Sequence, residues 1–176
     1  MTLAMLRTIA AATLILAFEA AAREPSPVER ERARAAAFDV MAAARYATLV
    51  TIGANGHPQA RVVDPLVAAD RTLWIGTNPL TRKVAEIRRD ARVTLLFFNA
   101  AAGEYVTVQG RATVVANAKT RAERWKPEWQ PFYKQGHQGE DFLLLEVRPT
   151  RLEISSARHR MVNDEKTWRP VVIDLP

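Results

Sequence analysis

Two short segments hold the residue types that could do chemistry. The first is Gly76-Thr77-Asn78-Pro79-Leu80-Thr81-Arg82-Lys83. A strand ends at its start, a loop crosses, and a helix opens at Thr81. Arg82 and Lys83 then stand in the first helical turn, where the macrodipole is already positive and each cation is disfavoured by about 0.3–1 kcal/mol. No acid offsets them before Glu86. An anion at the helix start would remove the conflict. A phosphate there could accept from the free backbone amides, from the hydroxyls of Thr77 and Thr81, and from both cations. The other reading is that both cations point into solvent. The second segment is Gln59-Ala60-Arg61-Val62-Val63-Asp64. An arginine inside an apolar strand lines a ligand groove, or faces outward and pairs with Asp64 or Glu104.

Other chemistries find little in the chain. It has no cysteine, which excludes a disulfide framework, a thiolate metal site and a cysteine nucleophile. His57, His137 and His159 are far apart and lack metal-ligand spacing. Ser155-Ser156 near His159 is not preceded by a nucleophile elbow. The glycine fingerprint of a dinucleotide fold is missing.

The elements that must position these residues read as follows. Ser26-Pro27-Val28-Glu29 is a capping box with proline at the first helical position, opening a helix that runs to about Arg45. Residues 47–52 read as a strand, Gly53-Ala54-Asn55-Gly56 as a hairpin turn, and residues 58–67 as one returning strand, its end near an edge or bulge at Pro65. Residues 72–76 form a third strand of the same meander. A helix over residues 81–89 takes Thr81 as its N-cap, with Val84 and Ile87 inward. The apolar run 92–98 predicts a strand buried on both faces. Residues 104–115 form a long strand with Gly110 at a bulge. Residues 119–125 are helical and 127–139 irregular. Two strands, 142–147 and 151–154, close the sheet, and residues 167–176 add a last extended segment. The whole is mainly β (α+β): an antiparallel split or closed barrel with an N-terminal helix and short connecting helices.

The chain has 176 residues and a formal net charge of +6. That length suits one domain. Its basic residues are interleaved with acids, as in Glu29-Arg30-Glu31-Arg32, and no basic stripe with aromatics marks a nucleic-acid surface. Residues 8–18 are an apolar run too short to span a bilayer, followed by Ala20-Ala21-Ala22. This reads as an export signal over residues 1–22, and points to a periplasmic or secreted protein. Residues 23–35 then form the N-terminal segment and helix start, 36–156 the barrel, and 157–176 a tail.

Taken together, Arg61-Val62-Val63, the strand ending Gly76-Thr77-Asn78, Thr81-Arg82-Lys83, the strand Arg92-Val93-Thr94-Leu95-Leu96-Phe97 and Tyr105-Val106-Thr107-Val108-Gln109-Gly110 resemble the pyridoxamine 5'-phosphate oxidase-like FMN-binding split barrels. The resemblance covers roughly residues 36–154. It implies FMN at a homodimer interface and an FMN-dependent oxidoreductase acting on a small molecule. Arg61, Val62 and Val63 would line the flavin, Gly76 would let backbone approach the ring, and Thr77, Thr81, Arg82 and Lys83 would hold the phosphate. Tyr105 stands where the family places a flavin contact. An aromatic from the partner, Trp125, Trp129 or Phe132, would cover the ring; the alternative is that these aromatics pack in the core or the dimer seam. The same barrel also serves non-catalytic flavin, haem or deazaflavin binding proteins. The vitamin oxidases carry a substrate-phosphate lysine where this chain has Leu66, and their arginine-x-histidine element has no match in Arg158-His159-Arg160, so the resemblance does not extend to pyridoxamine-phosphate oxidation. The aromatics of residues 125–133 would leave an apolar patch for a two-fold partner.

Overall fold

The computed structural model describes residues 25–175; the proposed export signal lies outside them. Helix α1 (Pro27–Ala44) starts on the predicted capping box: Glu29 N donates to Ser26 Oγ (3.3 Å) and Ser26 N to Glu29 Oε2 (2.7 Å). Its buried stripe is Ala33, Ala36, Ala37, Val40 and Met41. Small side chains let the helix lie close against the sheet.

Strand β1 (Ala47–Ile52) pairs with β2 (Pro58–Val63) through the predicted turn, where Gly56 takes φ +80°, a conformation that glycine adopts without a Cβ penalty. The expected single strand over 58–67 is broken at Asp64. β3 (Pro65–Val67) leaves β2 and pairs with β4 (Leu73–Thr77) instead. After helix α2 (Arg82–Arg89) come β5 (Arg92–Asn99) and β6 (Glu104–Val115). Helix α3 (Ala118–Glu123) is capped by Asn117, and two short 3-10 turns follow. The last strands are β7 (Leu143–Ser155) and β8 (Val171–Asp174).

All pairings are antiparallel, in the order β2-β1-β5-β6-β7-β4-β3, with β8 added to β7. The first three strands therefore form no meander: β3 and β4 sit at the far edge from β2. The two strands expected at 142–147 and 151–154 are one continuous strand. Its first part pairs with β4 and its last part with β8. It bends between them, where the β6–β7 register shifts at Gln109/Gly110 and Pro149 lies opposite Gly110. Proline is tolerated there because the bulge asks for no ladder donor. The bend curls the sheet into the split barrel that the sequence implies. α1 fills the concave side, over a core that includes Leu49, Leu95, Phe97, Val106, Val108, Leu145, Leu152 and Ile154.

β5 is not buried on both faces. Val93, Leu95 and Phe97 point into the core, while Leu96 and Phe98 are 40% and 56% exposed. A second, smaller cluster gathers Trp74, Trp129, Phe142 and Leu144, with Leu66, Trp125 and Tyr133 packed against it. The tryptophans and tyrosine expected on the surface are thus largely internal. Trp129 is 3% exposed, and of this group only Phe132, at 75%, is open.

A buried carboxylate ties the C-terminal tail to the barrel. Glu104, at the start of β6, accepts from Arg158 Nη2 (2.8 Å), Ser156 Oγ (2.6 Å) and Asn99 Nδ2 (3.0 Å). The Arg158 bond above all, against the cost of burial, holds its carboxyl down at about 2. A carboxylate with a depressed folded-state pKa stabilises fully above its unfolded value and loses that contribution as pH falls toward the folded value. Arg158 is half exposed, so solvent screens part of the gain. Glu104→Gln is expected to lower unfolding free energy at pH 7 by about 2 kcal/mol. The gap between variant and wild type should close as pH falls from the ordinary carboxylate range to about 2. Urea titrations across that range check it; a gap that does not change with pH would show that the carboxylate's charge is not what stabilises.

Candidate binding cleft

The site is built where the broken strand, the end of β4 and the start of α2 meet. β2 runs outward along the sheet edge, and its alternation sends Arg61 and Val63 to one face and Val62 to the other. The break at Asp64 turns the chain toward β4. β4 ends at Thr77, which is buried, and the loop through Pro79 and Leu80 delivers α2. Between these parts lies a cleft of about 290 Å³ lined by Tyr46, Val62, Val63, Asp64, Gly76, Lys83, Trp129, Phe132 and Tyr133. Of the residues predicted from sequence, Val62, Val63, Gly76 and Lys83 are brought together in it.

The start of α2 has no side-chain cap. Thr81 occupies the N-cap position but its side chain does not cap; the hydroxyl instead donates to the Asn78 carbonyl (2.8 Å) and lies 3.0 Å from Thr77 Oγ1. The opening amides of α2 are left without a side-chain acceptor. Lys83 is half-buried, and no hydrogen bond or ion pair within 4 Å engages it among the described residues. Burial, then the nearby Arg61, lower its pKa, and Glu86 opposes them only in part. An anion in the cleft would reverse this shift.

The other predicted residues are placed differently. Arg82 is exposed and faces a separate groove with Gly53, Asn55, Gln59 and Arg89. Successive helical residues diverge around the axis, so two adjacent cations do not share one wall. Arg61 pairs with neither Asp64 nor Glu104: Nη2 donates to Glu86 Oε2 at 2.7 Å, and Nη1 bonds the Thr51 hydroxyl. Asp64 is held by Lys126, and its carbonyl accepts from Trp129 Nε1 (3.1 Å). Gly76 is needed for a reason other than open backbone. A Cβ there would stand 2.9 Å from both the Trp129 and Phe142 rings, so the missing side chain makes room for the indole that walls the cleft. Tyr105 is outside the cleft, on the outer sheet face between Phe98 and Ser155.

Sequence reasoning missed Tyr46, Tyr133, Thr51 and Glu86. Two signals were available for the last pair: a threonine within an apolar strand, and a glutamate between the inward-facing Val84 and Ile87.

A sequence-family model described as pyridoxamine 5'-phosphate oxidase matches residues 33–156. No curated protein matches the chain. A protein related to general stress protein 26 from Clostridium acetobutylicum aligns with TM-score 0.66 at 14% identity, over 82% of this chain and 94% of its own. General stress protein 26 of Bacillus anthracis aligns at 0.64 and 15% identity, over 83% and 98%. A pyridoxamine 5'-phosphate oxidase-related, FMN-binding protein from Nostoc punctiforme aligns at 0.57 and 14%, over 86% and 98%. Structural likeness at such identities establishes the split-barrel fold alone. The family match spans more than half of the sequence and includes every residue that builds the cleft. The chain belongs to the pyridoxamine 5'-phosphate oxidase family.

Proposed function

We propose that this protein is an exported, FMN-binding oxidoreductase that works as a homodimer. The observation that carries the reading is Lys83. Its ammonium lies in an aromatic-walled cleft, beside a helix start whose amides lack a side-chain cap, and among the described residues no carboxylate is in bonding reach. That donor set suits a phosphate attached to a flat ring system. Lys83, the α2 amides and the Thr77–Thr81 hydroxyl pair would hold the phosphate, with Arg61 and Arg82 adding positive charge. Val62, Val63, Tyr46, Trp129 and Phe132 would enclose the ring and keep water from it. Bound FMN supplies the redox chemistry; the protein orients it and sets the field around it. Leu66 is packed against the Trp74 cluster, with no cation in its place, so the substrate is not expected to be a pyridoxamine phosphate.

The dimer is supported by the outer sheet face. Register places Val62, Thr48, Leu96 and Thr107 in one row across four strands, and Phe98 beside Tyr105 in the next. Val62 is 70% exposed and Phe98 56% exposed, an apolar surface that a monomer does not ordinarily leave open. Val62 belongs to both this face and the cleft, so a second copy seated here would cover the cleft's edge. The short apolar segment at residues 8–18 supports export.

Native mass spectrometry of the protein purified from its own compartment tests these points together. The expected species is a dimer of chains starting at Arg23, yellow and with equimolar FMN. Colourless protein that ignores added FMN would remove the cofactor, a single-chain mass the dimer, and a retained N-terminus the cleavage. Oxidation of a nicotinamide donor by the holoprotein separates an enzyme from a carrier.

A further inference from the structure

Thr51, Arg61 and Glu86 form a buried polar group that flavin contact by itself does not explain. Thr51, on β1, is 0% exposed and Glu86, on α2, is 7% exposed. Glu86 Oε2 accepts from Thr51 Oγ1 at 2.6 Å and from Arg61 Nη2 at 2.7 Å. The guanidinium also bonds the Thr51 hydroxyl through Nη1. Two of its planar fork's arms are thereby fixed, which orients the whole group as a single flexible contact could not. Arg61 comes off β2, at the edge of the sheet. Without these bonds a side chain of that length would extend into solvent.

The group is electrically joined to the cleft. Lys83 stands one helical turn before Glu86 on α2, so the guanidinium that Glu86 holds lies on the lysine's side of the helix, near enough to lower its pKa. Arg61 and Lys83 therefore share one buried carboxylate, and Arg82 adds to the positive field from the neighbouring groove. A phosphomonoester carries about −1.5 to −2 at pH 7 and would neutralise that field. Arg61 and Lys83 repel each other until it arrives, so something must keep Arg61 from swinging away.

We propose that Glu86, together with Thr51, is a positioning residue that fixes the Arg61 guanidinium beside Lys83, so that both cations meet a phosphomonoester at once. The proposal rests on the FMN reading above and assigns to Glu86 and Thr51 a role in selecting phosphorylated over unphosphorylated flavin.

The test titrates the full-length apoprotein with FMN and with riboflavin, which differ only in the phosphate. The wild type is expected to prefer FMN; equal affinities would remove the phosphate reading and this proposal with it. Given that preference, Glu86→Gln is expected to weaken FMN binding about tenfold or more and leave riboflavin unchanged. Arg61→Ala should do the same. Combining the two should be no worse than Arg61→Ala alone, since residues that act as a unit are not additive. Thr51→Val should follow Glu86→Gln, and Thr51→Ser should keep the wild-type preference. Riboflavin affinity reports folding, and if Glu86→Gln loses it, the threonine pair carries the test. A wild-type FMN preference in Glu86→Gln or Thr51→Val, or losses from Glu86→Gln and Arg61→Ala that add, would overturn the proposal while leaving the FMN site standing.

Discussion

Arg82→Ala combined with Lys83→Ala is expected to weaken FMN binding at least a hundredfold. Each charge-assisted hydrogen bond to a phosphate contributes about 1.5–3 kcal/mol, so two lost together amount to about 3–6 kcal/mol. The structure divides that loss unequally. Lys83 is half-buried and lines the cleft, and among the described residues no carboxylate pairs with it within 4 Å, so its donor is little screened. Arg82 is exposed and faces a neighbouring groove, which places its share at the low end or below. Lys83→Ala alone should therefore account for most of the change. Quenching of flavin fluorescence on titration with apoprotein measures both. Riboflavin affinity should move little, because the ring walls are untouched. An FMN affinity equal to wild type in the double variant would place the phosphate elsewhere on the chain.

The second large effect is on stability. Gly110→Ala should lower the unfolding free energy by about 3 kcal/mol, at the upper end of the usual overpacking range. An added Cβ would meet the Arg148 carbonyl oxygen at 2.5 Å and its carbon at 3.1 Å. Even close C···O contacts between strands lie at about 3.3–3.6 Å. Both atoms in conflict are backbone, so no rotamer change relieves it. The two longest strands of the sheet would have to separate at the point where they bend. For a chain of this size the loss corresponds to a fall in melting temperature of about 6–12 °C. Calorimetry of the variant reads it directly; a melting temperature within a degree or two of wild type would mean that the bulge absorbs a methyl group freely.

The local signals in the chain were read well because each is a short-range effect. The capping box of α1, the Asn-Gly turn, the bounds of β1 and β6 and the bulge at Gly110 depend on neighbours within a few residues. The resemblance that rests on Arg61, Gly76-Thr77 and Arg82-Lys83 likewise led to the family and to a split barrel. Partnership across the fold was not legible. Nothing near Pro65 says that β3 abandons β2 for β4, because the choice is made by which edge the closing sheet leaves open. The apolar run of β5 suggested burial on both faces, yet Leu96 and Phe98 on its outer side are exposed. Trp129 and Tyr133 read as surface aromatics because no local pattern shows that Gly76 leaves a gap for an indole.

By itself the sequence determined most of the elements and, through its family resemblance, the antiparallel split barrel, since propensity and capping act over one or two turns of chain. Tertiary structure alone decided which of the predicted site residues share a wall. Lys83 meets Val62, Val63 and Gly76 in the cleft, Arg82 turns to another groove, Tyr105 goes to the outer face, and Arg61 is held by a glutamate 25 positions away. The physical reason is burial. A charged group taken out of water has to be met by a partner, and the closing of the barrel settles which partner is within reach.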